Sequence, residues 1–474
     1  MHQNGEKVEM MKERVQASLR ESKTARWVAL LFVSLTLLAG YFFADVMSPL
    51  KTMIIQSQQL GWDNNDYGLY TGAYSWFNVF FFMLIIGGII LDRSGIRLTG
   101  IAFSGLMIVG GFFNYYALTD TFLNGGPGFD FLNSFLTSYN PSLKLAAFGY
   151  ALFGVGVEIL GVTGSRIVVK WFKGKEMAFA MALQVSCSRL GMFWVLVHAP
   201  RLAGPSHDIA RPVAFGVFLL IVGLLSYVVY SVMDFKLDKQ EFIDLSEEEE
   251  EFRLLDVGKL LLNRSFIYIS MLCVLFYSAV FPFMKYAADL MVNKFGIDPS
   301  TAGDIPGLLP FGTMIMTPII GLYLDYKGKS ATVMIFGSIL LIFVQVGFAF
   351  GPASELFAIG LMVLLGISFS LVPAAMWPAI PKIVKEQYLG SAYSLIFWIQ
   401  NWGLMAVPMI IGWSLEASNP GVTEQIKQGI DAHYSYTVPL GILALTGVLG
   451  LVFAFLLKAE DKRMGYGLER PNKA

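Results

Sequence analysis

The chain has 474 residues, 55% of them hydrophobic and 15% charged, with 34 basic against 35 acidic side chains and a formal net charge of −1 at pH 7. That apolar content exceeds what one or two soluble domains can bury, and uncharged stretches of about 20 residues alternate with short charged clusters, as helices spanning about 30 Å of hydrocarbon require. The balanced charge and the lack of a basic patch interleaved with aromatics exclude a nucleic-acid partner.

The pattern predicts an all-α membrane protein of twelve transmembrane helices, at 27–50, 67–91, 98–118, 143–168, 176–199, 212–233, 265–290, 302–324, 331–350, 356–380, 390–413 and 437–457. These divide into an N-terminal tail (1–26), a six-helix bundle (27–233), a linker (234–264), a second six-helix bundle (265–457) and a C-terminal tail (458–474). Basic residues cluster in the N-terminal tail (Lys7, Lys12, Arg14, Arg20, Lys23, Arg26) and then in alternate loops, so the positive-inside rule puts both termini in the cytoplasm. The first apolar stretch is too long for a cleaved leader and lacks a small-residue cleavage site.

Asp45 follows Tyr41, Phe42 and Phe43 near the outer end of the first span; it reads equally as a solvated helix end and as a candidate proton or substrate site. The second span holds Tyr74, Trp76 and Asn78. It ends in Gly88-Ile-Ile-Leu-Asp92-Arg93-Ser-Gly95-Ile-Arg97, a sequence whose form returns as Gly321-Leu-Tyr-Leu-Asp325-Tyr-Lys327-Gly328-Lys329. In each copy the first glycine is expected to let helices approach closely, and the second to allow a tight reversal. Gly88, Asp92, Arg93, Gly95, Arg97, Asp325, Gly328 and Lys329 are therefore candidate gating residues. Beyond the third span, 120–142 is long, glycine-rich and aromatic, a surface loop or an outer gate.

A charge at the centre of a spanning helix costs about 2.5–3.5 kcal/mol on insertion scales. Glu158 and Arg189 sit near the middle of the fourth and fifth spans, roughly 18 Å and 21 Å from their inner ends at 1.5 Å per residue. They either pair with each other or line a central cavity. In a cavity the carboxylate suits an ammonium and the guanidinium fork suits a carboxylate, which describes a small zwitterion. Glu158 could alternatively carry a proton.

The cytoplasmic linker carries the acidic run Glu247 to Glu251 and separates the bundles. Lys285 and Asp289 in the seventh span have i,i+4 spacing and are expected to pair locally at the outer mouth. Tyr277, Trp377, Trp398 and Asn401, with Tyr74, are candidates to line a wet substrate pocket, although most such aromatics serve packing. Cys187 and Cys273 read as free thiols within helices, and His198 has no visible metal-ligand partner. No His-Glu-x-x-His stretch or intramembrane Ser/His pair occurs, so the chain does not read as a membrane enzyme.

The duplicated loop resembles the one joining the second and third helices in each half of major facilitator superfamily transporters. That resemblance implies two pseudo-symmetric six-helix bundles with the substrate between them at mid-membrane. Tyr74-Ser-Trp-Phe-Asn78, Trp171-Phe-Lys-Gly-Lys-Glu176, Ala279-Val-Phe-Pro-Phe283 and Leu389-Gly-Ser-Ala-Tyr393 resemble more narrowly the major facilitator superfamily domain-containing protein 1 family. Lys294-Phe-Gly296, Met376-Trp-Pro378 and Ile399-Gln-Asn401 follow in the same order. The resemblance implies a dipeptide transporter without cofactor or metal, working as a monomer by alternating access, with Glu158 and Arg189 at the positions of that family's substrate-binding glutamate and arginine. The animal family works as a lysosomal uniporter with a glycosylated accessory subunit. This chain lacks an acidic dileucine signal and an outward N-x-Ser/Thr site, since Asn263-Arg-Ser265 falls on the cytoplasmic side. A bacterial plasma membrane, no accessory subunit, and either uniport or proton coupling are the resulting expectations. The alternative is another small solute, such as an organic anion, amino acid or drug.

Overall fold

The computed structural model describes residues 21–172, 175–240, 254–385 and 388–471; Glu247 to Glu251 and the basic residues before Glu21 lie outside them. Among the described residues, eleven helices are long and apolar enough to cross a membrane. They are Lys23–Ala44 extended to Gln56 through a 3-10 turn at Ser48–Leu50, Met83–Ala117, Pro141–Phe172, Met177–Ala203, Ala210–Gln240, Arg264–Phe295, Asp304–Lys327, Ser330–Phe350, Glu355–Met376 extended to Ile383, Leu389–Ser418 and Thr437–Met464.

The expected second span is not one helix. It is built from Asn64–Ala73, Trp76–Phe80 and the first part of Met83–Ala117, with breaks at Tyr74-Ser75 and Phe81-Phe82. Asp63 starts it with a capping box, accepting from Asp66 N at 2.8 Å while Asp66 accepts from Asp63 N at 3.3 Å. Phe82, which caps the start of the third piece, lies in the left-handed region, φ 52°. The third piece runs into the third span through Gly95, whose φ of 73° and ψ of 170° only glycine adopts readily. The chain reverses there: a Cβ on Gly87 would strike Ile159, and one on Gly156 would strike Met107, so residues on either side of Gly95 lie against the same stretch of the fourth span.

By this count the described residues make twelve crossings, which puts Glu21 and Pro471 on one face, here called the termini face. There the N-terminal half carries a charge network. Arg166 meets Asp92 at 2.5 Å, and the buried Asp234 accepts from Lys170 at 2.9 Å, Trp171 Nε1 at 3.0 Å and Tyr230 Oη at 3.2 Å. Arg97 reaches Asp238 at 3.0 Å and Asp234 at 3.6 Å. In the C-terminal half the tail does the corresponding work. Lys329 N donates to the Glu469 carbonyl and Ser330 N to the Leu468 carbonyl, at 3.2 and 2.9 Å. The Glu469 carboxylate accepts from Thr332 N and Oγ1 at 2.9 and 2.7 Å, and Leu468 is fully buried.

On the opposite face the halves are tied together. Lys51 meets Asp289 and Lys285 meets Asp45, each at 2.7 Å, and Arg201 grips Asp304 with two bonds of 2.9 and 2.7 Å. Asn64 Nδ2 donates to Glu416 at 2.8 Å, and Lys427 Nζ to the Gly61 carbonyl at 3.0 Å. The local Lys285–Asp289 pair expected from their spacing is therefore replaced by two ion pairs that cross between halves, because each side chain finds a buried partner on the other bundle. Asp45 is not a solvated helix end; it is 7% exposed. Segment 120–142 forms short helices at Asp120–Leu123 and Phe129–Asn133, fastened by Lys144 Nζ donating to the Leu132 and Phe135 carbonyls at 2.6 and 2.5 Å.

Candidate substrate site

The fourth span carries Glu158 near its middle, and the break in the second span supplies its partner. Tyr74 follows Ala73 where the first helical piece ends, its carbonyl lodged where a Cβ on Gly154 would be. That close approach, possible because residue 154 has no side chain, lets Tyr74 Oη donate to Glu158 Oε1 at 2.7 Å. A hydrogen bond of this kind contributes about 0.5–1.5 kcal/mol between neutral partners and about 1.5–3 kcal/mol when the acceptor is ionised.

Arg189 on the fifth span is held differently. Its guanidinium lies over the Phe369 ring at 5.1 Å and the Phe281 ring at 5.9 Å, both from the C-terminal half. Such cation–π contacts fix a guanidinium while leaving its N–H edges available. No ion pair within 4.0 Å joins Glu158 to Arg189 among the described residues. Tyr41 of the first span lies in electrostatic reach of both charges and of Asp45.

Around Phe281 and Phe369 the C-terminal half forms an aromatic wall. Tyr277 stacks on Phe281 at 5.5 Å, and Trp377 Nε1 donates to Tyr277 Oη at 3.0 Å. Tyr74, Tyr277 and Trp377 are thus brought toward the two charges. Trp398 and Asn401 sit apart, on the seam between the second and eleventh spans. Trp398 Nε1 donates to the Val79 carbonyl at 3.0 Å and stacks on Phe82 at 5.4 Å, while Asn401 Oδ1 is 3.5 Å from Asn78 Nδ2. Trp398 thereby satisfies a carbonyl of the broken second span at membrane depth, whereas Asn401 meets the Asn78 side chain.

Tyr41, Phe281 and Phe369 went unassigned in the sequence. Tyr41 had a signal, since it lies four residues before Asp45 on one helix. The two phenylalanines had none, being indistinguishable from lipid-facing apolar residues until the fold brings Arg189 beside them.

Among the loop residues, Gly95 and Gly328 both take positive φ, 73° and 69°, as the expected reversals require. Gly88 and Gly321 do not mediate close approach: a Cβ built on either meets no neighbouring element within 4 Å, and in the N-terminal half the contact with the fourth span falls one residue earlier, at Gly87. Asp92 and Arg97 bind Arg166 and Asp238, Arg93 is exposed, Asp325 lies in the last turn of its helix, and Lys329 is left-handed beside the tail. Cys187 and Cys273 are free thiols. A cavity of about 630 Å³ at the opposite face, lined by Thr52, Asp289, Asn293, His433 and Tyr434, lies at the inter-half ties rather than at Glu158.

Residues 30–408 and 271–471 match the Major Facilitator Superfamily. The chain is 30% identical over 407 residues to the lysosomal dipeptide transporter MFSD1 of Danio rerio, covering 82% of this chain and 81% of the relative. It is 28% identical to the protein of the same name from Homo sapiens, over 83% and 80% of the two chains. Solved structures share the fold at low identity. A bacterial homologue of the human lysosomal transporter Spinster, in an inward-facing and occupied conformation, superposes with a TM-score of 0.68 at 15% identity, over 92% of this chain and 98% of that one. A structure from work on proton-dependent oligopeptide transporters gives 0.61 at 16%, over 92% and 99%. The twelve crossings in two bundles, the repeated glycine-bearing loop and these matches agree, and the chain is a multi-pass membrane protein of the Major Facilitator Superfamily, in the family of the MFSD1 transporters.

Proposed function

We propose that this protein carries dipeptides across the membrane by alternating access, with Glu158 taking the substrate's ammonium and Arg189 its carboxylate. The observation that carries the reading is that these two opposite mid-membrane charges have no ion pair to each other: Tyr74 holds one and the Phe281–Phe369 rings the other. Two charges held apart by their own supports match the two ends of a zwitterion. The relatives named above as dipeptide transporters supply the substrate class.

Tyr41, Tyr74, Tyr277 and Trp377 would bound the solute, with Trp398 and Asn401 at the seam that flexes as the halves rock. The termini face is cytoplasmic on the basic-residue count, so a conformation tied at the opposite face admits substrate from the cytoplasm. Asp92, Arg97, Asp325, Gly328 and Lys329 act as latches on that side. The protein works as a monomer in a bacterial plasma membrane, without an accessory subunit.

The test is uptake of a labelled dipeptide by purified protein in liposomes, with and without an inward proton gradient. Flux that Glu158→Gln and Arg189→Ala both abolish supports the reading, and the gradient arm separates uniport from proton coupling. Competition by monocarboxylates or free amino acids, with dipeptides inert, would replace the dipeptide with another small solute.

A further inference from the structure

The opposite face is closed in part by a lysine that fills a site made entirely by the other half. Lys285 of the seventh span places its Nζ 2.7 Å from Asp45 Oδ1, 2.7 Å from the Ala44 carbonyl and 3.1 Å from Tyr150 Oη. All three acceptors belong to the first and fourth spans. They also support one another without the lysine. Tyr150 Oη donates its own proton to the Ala44 carbonyl at 2.5 Å, leaving only acceptor capacity toward Lys285. The Tyr150 ring stacks on Tyr70 at 4.8 Å, and Tyr70 Oη accepts from Asn114 Nδ2 at 2.9 Å. Asp45 Oδ1 also accepts from Ser48 Oγ at 3.3 Å. Ala44 is the last residue of its helix, so its carbonyl lies at the negative end of the helix dipole. Three converging acceptors carrying one negative charge are the complement of a primary ammonium.

The cradle adjoins the candidate substrate site. Tyr150 precedes Glu158 by eight residues, about 12 Å along the fourth span. Tyr74, the donor to Glu158, packs its ring against Tyr150 at 5.5 Å, and Tyr41 lies in electrostatic reach of both carboxylates.

We propose that the cradle of Asp45, the Ala44 carbonyl and Tyr150 is a second ammonium-binding site, which takes the substrate's ammonium while the opposite face is open, and that Lys285 is a tethered cation that replaces it there when the face closes. This deepens the dipeptide reading and rests on it for the identity of the substrate, though not for the site. Without Lys285, closure over the emptied cradle would bury Asp45 unpaired; with it, closure over an occupied cradle would force two cations onto three acceptors. The face therefore shuts only after the ammonium has moved toward Glu158. While the face is open, Asp289, four residues beyond Lys285, is within reach as its alternative partner.

The experiment uses ethylammonium as a stand-in for the lysine head group, so it needs no knowledge of the transported solute. In purified Lys285→Ala protein, ethylammonium should raise the melting temperature by about 2 °C or more at saturation, with no such rise in wild type or in Asp45→Asn/Lys285→Ala, and none from tetraethylammonium, which has no N–H. Stabilisation that is equal in wild type, or that survives Asp45→Asn, overturns the site. A second variant covers a misfolded alanine mutant. In Asp45→Lys/Lys285→Asp, a purely structural ion pair is restored and uptake from the opposite face returns to the wild-type rate. On the present proposal that variant closes again, as read by protection of a cysteine at the buried Thr71 from alkylation, yet uptake from that face stays at least about tenfold low, because its cradle holds a lysine and no carboxylate to receive the substrate's ammonium. Full recovery of uptake overturns the proposal, whatever the solute.

Discussion

Lys51 and Asp289, from different halves of the chain, meet at 2.7 Å with side chains 0% and 1% exposed. The second carboxylate oxygen accepts from Thr52 Oγ1 at 2.6 Å, Tyr436 Oη also donates to Asp289, and the rings of Tyr67, Tyr286, Tyr434 and Tyr436 stand within 6.0 Å of the ammonium. A buried pair owes little net stability to its own attraction, but removing one partner strands the other charge at a cost of about 3–5 kcal/mol.

Asp289→Asn should consequently destabilise the conformation closed at the opposite face. Alkylation of a cysteine at Thr71 should accelerate by about a hundredfold or more, while Lys51→Met/Asp289→Leu, which removes both charges, should accelerate it far less. Equal acceleration in the two variants would show that the pair itself, rather than the stranded charge, governs closure.

Tyr74→Phe deletes one bond to Glu158 and leaves the ring in place. The apparent KM for dipeptide should rise about tenfold, and Glu158→Gln should cost more, at least about a hundredfold in kcat/KM. An unchanged KM in Tyr74→Phe would detach that hydroxyl from substrate binding.

Arg189→Lys retains the charge but loses the planar fork and most of the stacking on Phe281 and Phe369. Dipeptide flux should fall at least about tenfold, and Phe369→Leu, which weakens one cation–π contact, should lower it about twofold to fivefold. Liposome uptake at fixed protein reads both.

On the termini face, Asp92 and Asp234 should behave differently when each is changed to asparagine. The Arg166–Asp92 pair is about a third exposed on both sides and contributes at most about 1 kcal/mol to folding, so Asp92→Asn should slow turnover with substrate binding and melting temperature nearly intact. Asp234 is buried beneath Lys170, Trp171 and Tyr230, and its asparagine variant should lower the melting temperature by several degrees. A binding loss in Asp92→Asn equal to its loss of turnover would remove the latch assignment.

Gly95→Ala and Gly328→Ala place a Cβ on positive-φ backbone, at about 1–3 kcal/mol each from conformation alone. Gly95 faces open space, whereas a Cβ on Gly328 would stand 2.4 Å from the Arg470 backbone. The second variant should be the less stable in thermal melting, and removing residues 468–474 should narrow that difference.

What was legible in the sequence follows from cost. Glu158 and Arg189 stood out as candidates because a charge at mid-membrane is expensive, and Gly95 and Gly328 take the positive φ that a reversal between spans needs. The partners of Asp45 and Lys51 were not legible, since they lie about 240 residues away and the nearer i,i+4 spacing of Lys285 and Asp289 suggested a cheaper local solution. The break at Phe81-Phe82 carries no proline or glycine signal, and Gly72, two residues before the break at Tyr74-Ser75, does not by itself mark one. Both breaks are set by tertiary contacts, the carbonyl of Tyr74 seated on Gly154 and that of Val79 capped by Trp398.

The C-terminal tail has a practical consequence. With its peptide groups bonded to Lys329 and Ser330 and Leu468 sunk out of solvent, the chain as far as Arg470 belongs to the folded body. An affinity tag or fluorescent fusion joined upstream of Leu468 would pull an apolar plug and unpin the loop beneath it, so engineered versions of this protein should carry their appendages beyond Pro471.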